Sequence, residues 1–256
     1  KNMIVSRDTL YFVVSQSGET ADTLFAMREL KRKGARVLGI CNAVGSTIAR
    51  ESDGGVYIHS GPEIAVASTK AFTSQITAFA ILALIMGRGR GMSIADGDRF
   101  IKYLAAIPNA VEQILELDKL ICNIAKKYSS CKNFLFMGRG ICHPVAMEGA
   151  LKLKEISYIH AEAVAAGELK HGVIALVNRD APSLFLVPDD ELRGKSISSM
   201  KEVHARGGKI IVVTDIDDPE INAIADDVII VPKTDRELTP FTFVVPMQLF
   251  AYHMAN

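Results

Sequence analysis

Short apolar runs alternate along this chain with longer stretches in which apolar residues recur at helical spacing. The pattern predicts strands over residues 10–14, 37–41, 56–59, 133–137 and 184–187, and helices over 21–33, 68–86, 95–128 and 144–157. In the first helix, Leu24, Met27 and Leu30 share one face, and Gly34 marks its end. Residues 159–172 show no clear periodicity and are expected to be irregular. Strands that alternate with helices in this way indicate an α/β protein with a parallel sheet.

The second half of the chain repeats the first at a constant spacing of 173 residues. Leu184–Val187 corresponds to Tyr11–Val14, and Asp226–Val231 corresponds to Asp53–Ile58. The spacing holds without a gap across about seventy residues, which chance similarity between two βα units rarely achieves. The sequence therefore predicts two tandem domains, residues 1–118 with a helical connector and residues 119–256.

The repeat also predicts that the first domain is truncated at its N-terminus. The strand around Phe134 and the helix after it precede Ile174, but their counterparts in the first copy would lie before residue 1. A parallel sheet without its first strand has an unpaired apolar edge. We therefore expect the native protein to extend upstream.

Residues 15–20, Ser-Gln-Ser-Gly-Glu-Thr, are the clearest candidate binding segment, because they join a predicted strand to a predicted helix. In open α/β sheets this junction faces a crevice, and the helix offers free N–H groups and its positive dipole end to an anion. The hydroxyls of Ser15, Ser17 and Thr20 add donors, and Gly18 lets the backbone approach a ligand. The alternative is an ordinary serine-rich helix cap with Glu19 near the first turn.

Composition excludes several classes of function. The 29 basic and 29 acidic side chains give a formal net charge of zero, so there is no electrostatic case for nucleic acid binding. The cysteines show no C-x-x-C spacing and are interpreted as reduced thiols, which leaves a zinc site unsupported. They are Cys41, Cys122, Cys131 and Cys142.

The N-terminal sequence shows no export signal, since it lacks a basic region followed by an apolar core. The longest apolar run, Ala71–Met86, contains several hydroxyl and amide side chains and is shorter than the roughly 20 residues of a membrane span. We interpret it as a buried helix and expect no membrane partner.

Several motifs together resemble the sugar isomerase (SIS) domains of glutamine–fructose-6-phosphate aminotransferases, also called glucosamine-6-phosphate synthases. The blocks Glu148–Glu162 and Ala166–Gly172 carry the most specific resemblance. The blocks Ser15–Thr23, Ile40–Asn42 and Val66–Phe72 support it, although the first occurs in sugar isomerase domains of several activities. The resemblance covers nearly the whole chain.

The resemblance implies two tandem SIS domains, each a parallel sheet flanked by helices. It implies a cytoplasmic enzyme of amino-sugar synthesis that converts fructose-6-phosphate and ammonia, released from glutamine, to glucosamine-6-phosphate. It implies no cofactor and no metal. By the same similarity the sugar phosphate is bound by Ser15, Gln16, Ser17 and Thr20, and Val66 and Ser68 line the other side of the sugar. Ser68 has the alternative role of capping the next helix.

Glu155 matches the family's base, which moves a proton between C1 and C2 of the sugar. A partly desolvated glutamate of raised basicity suits this chemistry. Lys152 and Glu148 lie on the same helical face, one and two turns before Glu155, and resemble residues near the substrate. Without the resemblance, Glu155 is equally well interpreted as a solvated helix residue paired with Lys152 or Lys154.

His171 lies in the irregular segment and is flanked by glycine, which favours its presentation to a ligand. In the family this histidine opens the sugar ring and enters the site of a neighbouring subunit, so the resemblance implies a homodimer. His160 and His204 lack such a context and are expected to be ordinary surface or hydrogen-bonding residues.

Two segments of the family are not found in this sequence. The glutaminase domain is expected upstream, and the tail that carries the lysine for a Schiff base with the open-chain ketose is expected just after Asn256. Val173 stands where the family usually has proline, which alters loop stiffness. The alternative functions are a phosphosugar isomerase or deglycase without an ammonia donor, and a non-catalytic sugar-phosphate-binding module.

Overall fold

The structure is a computed structural model that describes residues 4–6 and 8–256. The chain divides into two compact units, one ending at Met92 and the other beginning at Ser93. Each unit contains a parallel β-sheet with helices connecting its strands. The predicted α/β fold class is confirmed.

The first unit has a three-stranded parallel sheet in the order β1-β2-β3. Its elements are β1 (Leu10–Ser15), α1 (Ala21–Arg32), β2 (Arg36–Cys41), α2 (Thr47–Glu51), β3 (Gly55–Tyr57) and α3 (Lys70–Arg88). The predicted apolar face of α1 is buried through Met27 and Leu30, which pack with Val13 and Val37 of the sheet. This packing fixes the start of α1 beside the end of β1.

The second unit has a five-stranded parallel sheet in the order β5-β4-β6-β7-β8. Its elements are α4 (Ile94–Leu115), α5 (Asp118–Tyr128), β4 (Asn133–Gly138), α6 (Cys142–Ser157), β5 (His160–Ala165), β6 (Ser183–Val187), α7 (Arg193–Ala205), β7 (Ile210–Thr214), α8 (Pro219–Asn222), β8 (Asp227–Ile230) and α9 (Thr239–Ala255). Helix α9 packs against α4, α5 and α6. At Gly149 of α6, a Cβ atom would lie 2.4 Å from the sulfur of Met247, so glycine permits the close approach of α9.

The predicted duplication is confirmed by the order of the elements and by a repeated contact. The series from β6 to α9 follows the same order as the series from β1 to α3. Asp53 accepts a hydrogen bond of 2.8 Å from the N–H of Val37, and Asp226 accepts one of 2.9 Å from the N–H of Ile210. Both members of the second pair lie 173 residues after those of the first.

The expectation that residues 159–172 are irregular is wrong for the first part of that segment. His160–Ala165 forms β5, which pairs in parallel with β4 along its whole length. Ala161 and Val164 are buried on opposite faces of the strand, whereas Glu162 is exposed. Alanine favours strands weakly, and pairing with β4 therefore decides the conformation.

The expectation that the helix around Ala71–Met86 is buried is also wrong. Only Ala71 of α3 is buried, and Phe79, Ile81 and Ile85 are exposed. The corresponding helix α9 is covered by α4, α5 and α6 of the second unit. The described residues of the first unit therefore leave this apolar surface uncovered.

Helix α3 is the one helix among the described residues that is long and apolar enough to cross a membrane by length and composition. It has 19 residues, and its most apolar window has a mean hydropathy of 1.4. Its repeat counterpart α9 is also predominantly apolar and lies packed inside the second unit. The duplication therefore favours the role of a core helix for α3 over that of a membrane span.

The boundary between the two compact units along the chain, at Met92 and Ser93, differs from the predicted domain division between residues 118 and 119. Helix α4 belongs to the second unit, where it packs against α9. The division of the two tandem domains between residues 118 and 119 stays a prediction.

Candidate functional site

Residues 15–20 connect β1 to α1, as the sequence predicts. The Ser15 hydroxyl oxygen is buried, accepts a hydrogen bond of 2.9 Å from the N–H of Gly18 and lies 2.8 Å from the Thr20 hydroxyl oxygen. Ser17 and Thr20 are exposed. Ser15 therefore shapes the loop from inside, while Ser17 and Thr20 lie where their hydroxyls are accessible to a ligand.

The start of α1 supports the interpretation as an anion-binding segment rather than an ordinary cap. Thr20 precedes the helix, but its side chain makes no capping hydrogen bond. The N–H groups of the first helical turn have no partner within the helix, and they carry its positive dipole end. Glu19 accepts a hydrogen bond of 2.7 Å from the N–H of Thr47 in α2, which lowers the pKa of its carboxyl group. Glu19 therefore stabilises α2 and does not cap α1.

Gly18 allows the loop to approach the segment that precedes α2. Its φ is +65°, and a Cβ atom at this position would lie 1.9 Å from the hydroxyl oxygen of Ser46. The N–H of Ile48 donates a hydrogen bond of 3.0 Å to the Gly18 carbonyl. The buried hydroxyl oxygen of Ser46 has no hydrogen-bond partner among the described residues. Glycine is required here by both conformation and space.

Asn42 organises the neighbouring loop, which the sequence analysis did not predict. The carbonyl of Gln16 accepts hydrogen bonds from the N–H groups of Asn42 and Ala43, at 3.3 and 3.1 Å. The Asn42 side chain accepts from the N–H of Ser60 at 2.9 Å and donates to the carbonyl of Gly61 at 2.6 Å. Gln16 is therefore held through its backbone. The Ile-Cys-Asn block was the available signal for Asn42.

Ser68 and Val66 lie in the segment between β3 and α3. Glu63 accepts hydrogen bonds from the Ser68 hydroxyl at 3.2 Å, the N–H of Thr69 at 3.1 Å and the N–H of Ala71 at 2.8 Å. Glu63 thus caps α3, a role that the sequence analysis considered for Ser68. Val66 is 95% exposed. The structure brings neither Ser68 nor Val66 into contact with residues 15–20 through a hydrogen bond.

Three charged side chains meet on α6. The ammonium nitrogen of Lys152 lies 2.8 Å from Oε2 of Glu155 and 3.3 Å from Oε1 of Glu148. The Lys152 side chain is 4% exposed and that of Glu155 is 32% exposed. The pairing of Glu155 with Lys152 allowed by helical spacing is therefore present, and the lysine is buried between two carboxylates.

Burial sets the electrostatics of this cluster. It raises the pKa of the Glu148 carboxyl, while the nearby Lys152 opposes that rise. Oε2 of Glu155 is buried and lies 2.8 Å from the ammonium nitrogen of Lys152, which is the distance of a charge-assisted contact. This contact fixes the position of the Glu155 carboxylate on the helix.

His171 ends a short 3₁₀ helix, Leu169–His171, that follows β5. Leu169 is buried and anchors this turn, whereas the His171 side chain is exposed. That side chain has no hydrogen-bond or ion-pair partner in the part of the chain that the structure describes. His171 is therefore exposed and makes no hydrogen bond or ion pair with the charged residues of α6. No group of three or more possible metal ligands occurs within residues 4–6 and 8–256.

Comparison with known proteins identifies the family. The model of the SIS domain family matches residues 2–85 and 127–256. The chain belongs to the SIS domain family. The resemblance inferred from the motifs is confirmed, and so are the two tandem SIS domains, since the matched ranges lie one in each half of the chain.

Two relatives and one solved structure that are similar to this SIS chain carry closely similar enzyme names. Glutamine–fructose-6-phosphate aminotransferases (isomerizing) of Thermus thermophilus and Chlorobaculum tepidum are 49% and 48% identical over 256 residues, which is 100% of this chain and 42% of each relative. The C-terminal domain of glucosamine-fructose-6-phosphate aminotransferase from Francisella tularensis superposes with a TM-score of 0.94 at 40% identity, covering 100% of this chain and 72% of that one.

A glucosamine-6-phosphate deaminase from Thermotoga maritima has a TM-score of 0.77 at 23% identity, covering 99% of this chain and 72% of the other. That likeness shows the fold alone. The SIS chain spans less than half the length of the curated relatives that it matches.

Proposed function

We propose that this SIS chain is the sugar-isomerase part of an enzyme that converts fructose-6-phosphate to glucosamine-6-phosphate with ammonia taken from glutamine. The observation that carries the proposal is its identity of 40% to 49%, along its whole length, with proteins described as aminotransferases acting on fructose-6-phosphate. The enzyme is cytoplasmic and serves amino-sugar synthesis, and its glutaminase domain lies upstream of this chain.

Residues 15–20 bind the phosphate group of the sugar. The exposed hydroxyls of Ser17 and Thr20 and the free N–H groups at the start of α1 support this role, because they offer several donors to one anion. Gln16 and the buried Ser15 complete the segment. Val66 and Ser68 line the other side of the sugar by family resemblance.

Glu155 transfers the proton between C1 and C2. Its Oε2 lies 2.8 Å from the buried ammonium of Lys152, which positions the carboxylate and so supports the role. Lys152 holds the carboxylate in place, and Glu148 fixes Lys152 from the preceding turn. A positioned general base of this kind typically contributes a rate factor of about 10² to 10⁴.

His171 opens the sugar ring in the site of a neighbouring subunit of a homodimer. Its side chain is exposed and has no hydrogen-bond or ion-pair partner within the described structure, which supports its presentation to another molecule. A Schiff-base lysine, as the family resemblance implies, would activate C1 of the open-chain ketose. With the glutaminase domain removed, free ammonia replaces glutamine as the nitrogen donor.

The overall function is tested by incubating the full-length protein with fructose-6-phosphate under three conditions. The first contains glutamine, the second contains free ammonia, and the third contains no nitrogen donor. Glucosamine-6-phosphate formed with glutamine or ammonia supports the proposal. Aldose formed without a nitrogen donor would instead indicate a phosphosugar isomerase, and tight binding without any product would indicate a sugar-phosphate-binding module.

The composite site is tested by mixing two inactive chains, Glu155→Gln and His171→Asn. If His171 acts in the partner's site, random mixed dimers contain one site with both residues intact, and about a quarter of the wild-type activity returns. If His171 acts within its own chain, the mixture stays inactive.

A further inference from the structure

A cavity with a volume of about 230 Å³ lies at the carboxyl ends of β4 and β5, beside α7. Arg139 directly follows β4, and Gly167 lies just after β5. Helix α7 lines the cavity with side chains at positions spaced three or four residues apart, which places them on one helical face. They are Lys195, Ser198, Ser199 and Glu202.

Two buried polar atoms of residues that line this cavity have no hydrogen-bond partner among the described residues. Arg139 donates from one terminal nitrogen to the Ser199 hydroxyl at 2.9 Å and to the Ala166 carbonyl at 3.2 Å, but its Nε has no acceptor in the described structure. Glu202 pairs with Lys170 at 2.9 Å through Oε1, and its Oε2 has no donor there. A buried donor and a buried acceptor that are both unsatisfied cost free energy. The cavity therefore suits a ligand that both accepts and donates hydrogen bonds.

The charges of the lining favour an anion. Arg139, Lys170 and Lys195 are opposed only by Glu202 among the charged lining residues. Lys195 is exposed and has no ion-pair partner within the described residues. The charged lining residues together carry a formal charge of +2. This charge complements a phosphate monoester, which carries about −1.5 to −2 at neutral pH. The unpartnered Oε2 of Glu202 matches a hydroxyl donor on the same ligand.

The position in the sheet is one at which α/β proteins bind ligands. The chain passes from β4 to β5 on one side and then to β6 on the other side of β4, so the direction of strand addition reverses at β4. In this unit the loop after β6 contains Asp189 and Asp190, where the first unit has Gln16 and Ser17. The donors at this edge therefore come from Arg139 and α7.

We propose that this cavity binds a hydroxylated phosphate monoester, with its phosphate on Arg139 and Lys195 and a hydroxyl on Glu202. Gly167 is part of the site, because a Cβ atom there would lie 3.1 Å from a terminal nitrogen of Arg139. The residues that line this site include neither residues 15–20 nor the charged cluster on α6.

The test uses glycerol 3-phosphate as the probe and the full-length protein. Isothermal titration compares the wild type with Lys195→Met and with a matched control, Lys201→Met, which lies on the same helix and pairs with Glu220 instead. We expect Lys195→Met to weaken one class of sites by about tenfold or more, because it removes a charge-assisted hydrogen bond. Lys201→Met is expected to bind like the wild type. Equal affinity in all three proteins, or equal loss in both variants, overturns the proposal.

Two further measurements locate the probe. The titration is repeated with Ser17→Ala plus Thr20→Ala, in which binding to the cavity is expected to remain; complete loss of binding in that protein overturns the proposal. A crystal soaked in glycerol 3-phosphate is expected to show the phosphate against Arg139. A soaked crystal with only water between Arg139 and Glu202 contradicts the proposal, whatever the outcome for fructose-6-phosphate turnover.

Discussion

The ammonium group of Lys152 lies 2.8 Å from a carboxylate oxygen of Glu155, one helical turn away, and only 4% of the lysine side chain is exposed. An exposed pair at this spacing contributes a few tenths of a kcal/mol. Here the lysine also contacts Glu148, so three charges are organised inside one helix face. The pair therefore fixes the carboxylate that we propose as the base.

Glu155→Gln tests that base. The amide cannot take a carbon-bound proton, so we expect kcat to fall at least 100-fold, the lower limit for loss of a general base. The dissociation constant for fructose-6-phosphate should stay within about tenfold, or roughly 1.4 kcal/mol. Steady-state kinetics and equilibrium binding measure both quantities, with the exposed Glu162→Gln as control. Full activity in Glu155→Gln would refute the assignment.

Ser17→Ala combined with Thr20→Ala tests the phosphate segment. Both side chains are exposed, so their removal should leave the fold intact while removing two donors to the anion. We expect the dissociation constant for fructose-6-phosphate to rise by about tenfold or more, and kcat to change much less. Unchanged affinity would place the phosphate elsewhere. Circular dichroism of the variant confirms that folding is not the cause.

Lys152→Met tests the energetics of the buried cluster. It leaves Glu148 and Glu155 without their shared cation, and breaking a fully buried pair costs about 3–5 kcal/mol. Because Glu155 is 32% exposed, we expect a smaller loss, about 2–3 kcal/mol in the free energy of unfolding. Lys154→Met, on the exposed side of α6, is the matched control and should change stability little. Urea titrations compare the two, and equal stability of both variants would contradict the prediction.

Gly18→Ala tests the close approach at residues 15–20. The added Cβ atom would overlap Ser46, and the left-handed backbone alone costs a non-glycine residue about 1–2 kcal/mol. Gly45→Ala provides the control, because Gly45 has a φ of +71° but nothing within 4 Å of the added atom. We expect Gly18→Ala to lower the free energy of unfolding clearly more than Gly45→Ala does. Similar losses would show that steric overlap contributes nothing.

Glu148 should make stability depend on pH. Burial raises its pKa in the folded protein above the usual value, so the folded state binds the proton more tightly than the unfolded state. The resulting stabilisation is present below the unfolded pKa of about 4.3 and is lost as pH rises through the folded pKa. Glu148→Gln should therefore gain stability relative to the wild type as pH rises from about 4 to 7. Urea titrations across this range measure it, and parallel curves for both proteins would refute it.

The sequence by itself determined the α/β class, the duplication and the junction that carries Ser17 and Thr20. These features depend on local periodicity, on residue types at chain turns and on a constant spacing, all of which are present in the linear order of residues. The matching contacts of Asp53 and Asp226 show how closely the two copies retain the same local structure.

Only the tertiary structure decided that His160–Ala165 is a strand, that Glu63 caps α3 and that α3 is left largely exposed. It alone brought Arg139 together with Glu202, although they lie far apart in sequence. Strand pairing, burial and the satisfaction of polar atoms depend on neighbours that are distant along the chain. Local sequence patterns carry little information about those neighbours, and for this reason the charged cavity beside α7 became visible only in three dimensions.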